Sequence, residues 1–248
     1  MRPAGWLDRY RHGEREQVWH EFRRLGDRIR EPALAAVATS VCEEMARRTR
    51  HNVELIVRRL EAQGYRFHTN DADQHPVTPF HPAGPSSVAV SEWLAQQVGP
   101  VPLTVSAWLR LVGDVWLVGT HPEWPASDSA DPLVMELEGA RYQNFSITDH
   151  FASAWGDWQE WSSDDPAAGM FVLPTAPDRL HKANVSGGPP YGFRLPDRCV
   201  DGIFVGDAAM PFVDYLNHVF RHGGFPGAAP GDAQWRIKQS LARDLLPL

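Results

Sequence analysis

Apolar positions recur along the first sixty residues with the period of a helix. Val18, Phe22 and Leu25 stand at i, i+4 and i+7 between Glu14 and Arg28 with no proline among them, which predicts an amphipathic helix. A longer one is expected from Pro32, where a missing N–H costs nothing in a first turn, to Gly64. Its stripe runs through Leu34, Val37, Val41 and Met45, then Val53, Ile56, Val57 and Leu60, and Arg50-His51-Asn52 is the point where it could divide in two. Beyond residue 64 the period shortens. Tyr65-Arg66-Phe67 alternates like a short strand, and the runs Val115–Thr120, Leu133–Leu137, Gly169–Leu173, Tyr191–Leu195 and Ile203–Val205 bring the total to five or six strands. Helices are expected over Thr104–Val112, over Pro211–Phe220 and over Asp232–Leu246. Strands come in runs and do not alternate with helices, so the expected class is α+β with a mostly antiparallel sheet.

Proline divides the chain. Pro76, Pro79, Pro82 and Pro85 fall within ten residues, so 71–85 reads as a linker between an N-terminal helical region, 1–70, and an α+β domain, 86–248. A hydrophobic content of 43% with ten Trp and eleven Phe suffices for a buried core and excludes wholesale disorder. Cys42 and Cys199 are too few for a disulfide framework. No stretch has the apolar length of a membrane span, and the charged opening MRPAGWLDRYRHGEREQ is unlike a signal peptide, so the expectation is a cytoplasmic bacterial protein.

Charge is unevenly distributed. Residues 1–66 carry 14 Arg against 10 Asp and Glu, whereas residues 67–248 carry 10 Lys and Arg against 21 Asp and Glu. Such an acidic surplus opposes phosphate binding and argues against nucleic acid, while it suits a basic protein partner, whose approach the field would speed. Within 1–66, Arg47-Arg48 and Arg58-Arg59 lie three or four residues from Glu43, Glu44, Glu54 and Glu61, the spacing of a solvated, ion-paired helix face.

Candidate contact residues cluster in three places. Thr120-His121-Pro122-Glu123-Trp124-Pro125 follows a strand, and its two prolines restrict the directions in which His121, Glu123 and Trp124 can be presented. Trp116 stands just before it. Trp155, Trp158 and Trp161 are interleaved with Asp157, Glu160, Asp164 and Asp165, an acidic and aromatic surface if exposed and a core stripe if not. Asp178, His181 and Asn184 occupy the turn before Gly187-Gly188-Pro189-Pro190, a poor anion nest because two prolines remove N–H donors. His218 and His222 have the i, i+4 spacing of a zinc helix, but Val219 stands where a zinc protease carries its Glu, so helix capping is preferred to metal binding. No cofactor is expected.

The order Gly99-Pro100-Val101-Pro102-Leu103-Thr104 with VSAWLRLVG, then VWLVGT, FVLPTAPD, GGPPYGFRL and PFVDYLNHVF resembles the SUKH superfamily. There, a helix introduced by a proline-containing stretch leads into a strand, and a second strand follows an acidic turn. The likeness spans Gly99–Phe220; the turn His181–Ser186 is longer than usual and the helical region 1–66 lies outside the family's domain. The chain also resembles bacterial proteins that share RHNVELIVRRLEAQGYRF, VGTHPEWP and NVSGGPPY, a likeness that carries no function across. What the SUKH resemblance implies is a non-enzymatic protein-binding domain with an immunity-type or other interaction role. Two rivals stand beside it: an enzyme whose pocket gathers His121, His181, His218 and His222, and a module that dimerises through its N-terminal helices.

Overall fold

The structure is a computed structural model that describes residues 5–142, 144–165, 169–227 and 233–248. It is α+β, with antiparallel sheets packed against helices. The chain opens with α1 (Trp6–Arg11), α2 (Arg15–Leu25) and a 3-10 turn over Gly26–Arg30, then enters α3 (Pro32–Ala62), a single helix of 31 residues. Pro32 starts α3 as expected. Its buried stripe is Ala38, Val41, Cys42, Met45, Ala46, Thr49, Asn52, Val53, Ile56 and Leu60, so the helix continues through the polar point suspected as a break, with Asn52 on the packed face. Asn52 is tolerated there because its amide is satisfied from far away in sequence: Nδ2 donates to the Leu246 carbonyl at 2.8 Å and Oδ1 accepts from the Leu246 N–H at 2.7 Å.

Residues 71–85, expected as a linker, carry a strand. β2 (Phe80–Pro82) pairs antiparallel with β3 (Gly113–Trp116), Phe80 opposite Val115 and Pro82 opposite Gly113. Pro82 is accommodated because β2 is an edge strand. Gly113 has φ 103°, and a Cβ there would fall 2.1 Å from the His81 carbonyl oxygen, so this register admits only glycine. Between β2 and β3 lie α4 (Ser86–Gln97), which periodicity did not disclose, and α5 (Leu103–Leu111), one residue displaced from the expected helix. α5 packs on α3 and α4 packs on α5.

The run Val115–Thr120 divides between two sheets. Its first part belongs to β3; its last two residues form β4 (Gly119–Thr120), paired with β1 (Arg66–Phe67). Leu117 and Val118 carry the chain across, tied by Leu117 N–H to the Leu133 carbonyl and by His68 N–H to the Val118 carbonyl. Trp116, Leu117 and Val118 are all buried, as the unbroken apolar run implied. β5 (Val134–Met135) completes the order β2-β3-β5, and Glu136 N–H donates to the Thr175 carbonyl at 2.8 Å, linking this sheet to the next. That next sheet runs β6 (Phe171–Ala176), β7 (Tyr191–Leu195), β8 (Ile203–Val205) and β9 (Ala209–Pro211), all antiparallel neighbours in sequence order. The described residues thus contain nine short strands where five or six were expected. α6 (Ile147–Asp164) lies on β6, the single-turn α7 (Arg179–Lys182) follows β6, and α8 (Phe212–Arg221) and α9 (Ala233–Ala242) close the chain.

One apolar cluster extends from Trp6 in α1 to Leu248, so the N-terminal helices share the core of the sheets. Among the described residues no helix is long and apolar enough to cross a membrane. Two carboxylates fix how the pieces meet. Asp114 is buried and accepts the N–H groups of Leu137, Glu138 and Ala140 at 2.7, 2.9 and 2.8 Å, holding the turn after β5. Asp201 accepts Val213 N–H at 3.1 Å and Arg23 Nη2 at 2.8 Å, and Arg23 also reaches Asp214 at 3.0 Å, so one guanidinium fastens α2 to the start of α8.

Val118→Asp places an unpaired charge in the core and is expected to lower stability by at least about 3 kcal/mol. Urea unfolding measures this, and an unchanged midpoint would refute the packing described. The Arg23–Asp201 pair gives a pH signature. Burial pushes the Asp201 carboxyl up to about 6 against the pull of Arg23. The native state therefore holds this proton more tightly than the unfolded chain, and the group's contribution is lost as pH rises from about 4 to about 6. Arg23→Gln removes the opposing cation, so its cost should be small at pH 4 and about 2 kcal/mol or more at pH 7.5. Equal losses at the two pH values would show that Asp201 does not carry this charge.

Candidate functional site

The proline-bounded loop is closed by Trp124 N–H bonding to the His121 carbonyl at 3.0 Å, and it turns two of its candidate residues inward. Trp124 is buried against Phe225, with Lys238 Nζ 5.3 Å from its ring centre. His121 is buried too. Its Nδ1 accepts from the Glu123 N–H at 3.0 Å, which leaves Nε2 to carry the proton and donate to Gln63 Oε1 at 3.1 Å. Burial holds this imidazole below its ordinary pKa, against the opposing pull of Glu123, so it is a neutral structural group. Glu123 alone of the three faces solvent. Trp116 is likewise internal, donating its indole N–H to the His68 carbonyl at 2.9 Å beneath the Arg141 guanidinium, 3.6 Å from the ring centre. Trp116, His121 and Trp124 therefore offer no surface to a partner.

The turn after β6 is a helix cap. Asp178 Oδ1 accepts from Leu180 N–H at 2.8 Å and His181 N–H at 3.3 Å, and its other oxygen meets His181 Nδ1. Burial would raise this carboxyl, but the hydrogen bonds from His181 and the two N–H groups outweigh it and hold it below the usual range. Asn184 takes a left-handed conformation, φ 57°, that ends the turn. Sequence reading missed the residue between them. Lys182 is fully buried, paired with Asp131 at 2.6 Å and lying 4.8 Å from the centre of the Tyr191 ring. Tyr191 in turn donates to Asp207 at 2.6 Å. Burial lowers the Lys182 pKa while Asp131 opposes it. The signal was available: the chain has just two lysines, Lys182 and Lys238, and both are buried, so its cationic surface is built of arginine.

Three of the four histidines of the enzyme reading use a ring nitrogen on a partner of their own, and His218 lies against the His222 ring. His121 holds Gln63, His181 holds Asp178, and His222 Nδ1 bonds to the His218 carbonyl at 2.8 Å with the two rings 4.6 Å apart. Among the described residues no group of three or more His, Cys, Asp and Glu is placed to hold a metal ion.

The remaining cluster forms a surface. Ser146 caps α6 by accepting from Asp149 N–H at 3.2 Å, and Ile147, Phe151, Trp155 and Trp158 recur on the side that meets β6. Trp155 and Trp158 stack at 4.9 Å, and both contact Phe171 of β6. Trp158 donates to the Gly169 carbonyl at 3.1 Å, so it serves the fold more than a partner. Trp161 falls on the other side and is 57% exposed. Asp157, Glu160 and Asp164, all exposed, stand at i−4, i−1 and i+3 from it, giving one helical stripe of three acids around an indole. Asp165 follows at the end of α6, half-buried. Met170, 51% exposed, adds apolar surface just before β6. From Arg141 to Arg179 there is no Lys or Arg at all, against Asp149, Asp157, Glu160, Asp164, Asp165 and Asp178. The exposed aromatic contact point of this segment is thus Trp161, not Trp158.

No family model, curated protein or solved structure matches this chain.

Proposed function

We propose that this chain is a protein-binding module of the immunity type, and that it captures a basic protein through the solvent face of α6. The observation that carries the reading is the stripe Asp157, Glu160, Trp161 and Asp164, an exposed indole set among carboxylates in a segment without a single Lys or Arg. Exposed indoles are costly to leave in water and are over-represented at the centres of interfaces, where a few residues supply most of the binding energy. Carboxylates around such a centre desolvate cheaply at the rim and steer an oppositely charged partner, which raises the association rate more than the affinity. The resemblance to SUKH proteins over Gly99–Phe220 supports the same role and the same absence of chemistry. α6 is backed by the stacked Trp155–Trp158 pair on β6, so the stripe is held on a rigid element and little ordering entropy opposes binding.

The test is a capture experiment from the native host followed by binding kinetics with the protein recovered. Asp157→Asn with Glu160→Gln and Asp164→Asn should slow association and flatten its salt dependence while leaving dissociation nearly unchanged. Trp161→Ala should instead hasten dissociation, with a loss of about 2 kcal/mol or more. A partner that binds both variants as it binds the parent, or one that is acidic, would remove α6 from consideration.

A further inference from the structure

Residues after α9 do not simply trail over the surface. Leu246 and Leu248 are each read through their backbones by an asparagine side chain. Asn52 of α3 makes both hydrogen bonds of Leu246, and Asn217 of α8 makes both hydrogen bonds of Leu248, with N–H to Oδ1 at 3.0 Å and carbonyl to Nδ2 at 3.3 Å. Pairing at alternate residues is what an adjacent strand would provide, here supplied by two amides from two helices. Pro247 lies between the paired residues, where no N–H is called for, and its carbonyl accepts from Arg48 Nη1 at 3.3 Å. The Leu248 side chain is buried while Leu246 remains exposed. Such a contact reads an extended backbone at every second residue and takes one apolar side chain in a pocket, the arrangement by which proteins recognise extended peptides.

Two further features belong to the same place. A cavity of about 980 Å³ adjoins the segment, with Arg15, Trp19, Asn217, Phe220, Leu245 and Leu248 in its wall. The Trp19 indole N–H is buried without a hydrogen-bond partner among the described residues. Upstream, Asp244 takes φ 57°, a left-handed conformation that aspartate accepts more readily than most residues, at the joint between α9 and the segment. Straightening that joint would release the segment without breaking any strand pairing.

We infer that the cleft between α3 and α8 is a binding site for a peptide segment held through its backbone at alternate residues with a single leucine side chain buried, and that residues 246–248 occupy it in cis as an exchangeable ligand. The site is separate from the α6 face and does not depend on it. Tethering sets the local concentration of the segment on the order of millimolar, so a free peptide competes poorly until the cis ligand is weakened.

The probe is a fluorescein-labelled Arg-Asp-Leu-Leu-Pro-Leu, the sequence of residues 243–248, followed by anisotropy. Leu248→Ser removes the buried side chain from the cis ligand, and the full-length variant should bind the peptide at least about tenfold more tightly than the parent chain. Adding Asn217→Ala to that variant should abolish the gain. If Leu248→Ser keeps its far-ultraviolet spectrum and melting transition yet gains no affinity, the proposal is overturned. A second measurement needs no variant. Amide exchange at Leu246 and Leu248 in the parent chain should be at least about a hundredfold faster than at Phe193 of β7, because the segment opens locally. Equal protection would mean that the segment leaves only when the whole fold does, and the exchangeable ligand would be refuted.

Discussion

α3 has more apolar surface than any single partner can cover. Its 31 residues span about 46 Å, and the stripe from Ala38 to Leu60 must be taken out of water along most of that length. The structure answers with several coverings: the 3-10 turn, α1, α5, β2 and α9 all pack against it. Each of these is too short to persist alone in water, since helices of six to twelve residues gain their stability from packing and not from propensity. The N-terminal helices and the sheets are therefore mutually dependent. α3 supplies the surface on which both fold, and the same dependence explains why a proline-rich stretch is drawn into a strand.

Apolar contact is not directional, and buried polar groups settle what it leaves open. Asp114 accepts three N–H groups from the turn after β5, Asp201 with Arg23 sets where α2 meets α8, and Asn52 with Asn217 sets the path of the closing segment. Lys182 with Asp131 pins the short helix after β6. A buried ion pair contributes little net stability over an apolar replacement, yet removing one partner alone is costly, so these groups specify one arrangement by penalising the others.

The same division separates the interior from the surface. Both lysines enter the core, Lys182 on the Asp131 carboxylate and Lys238 on the Phe225 carbonyl, and the Arg141 guanidinium, with its side chain only 11% exposed, lies over the Trp116 ring paired with Glu136. Negative charge collects instead around α6, on a helix whose inner face is occupied by Phe151, Trp155 and Trp158. Its outer face is free to be acidic because the inner one already provides the packing. Under the proposed function, a rigid acidic helix carrying one indole is what remains for a partner to meet.

The sequence by itself determined the α+β class, the start of α3 at Pro32, the limits of β7 and β8 at Tyr191–Leu195 and Ile203–Val205, and the burial of Trp116-Leu117-Val118. These follow from local periodicity and from Pro and Gly, whose conformational limits act within a few residues. Tertiary structure alone decided that Arg50-His51-Asn52 continues a helix, because the partner that satisfies Asn52 is 194 residues away. It also decided that Phe80–Pro82 pairs with β3, which depends on Gly113 admitting the close approach of another backbone. For the candidate surface, the sequence located the aromatic and acidic segment but could not tell which indole faces out. Trp155, Trp158 and Trp161 are spaced three apart, so their stripe drifts around a helix of 3.6 residues per turn. Which of them meets water is set by where β6 lies, and that is a property of the packed molecule and not of the spacing.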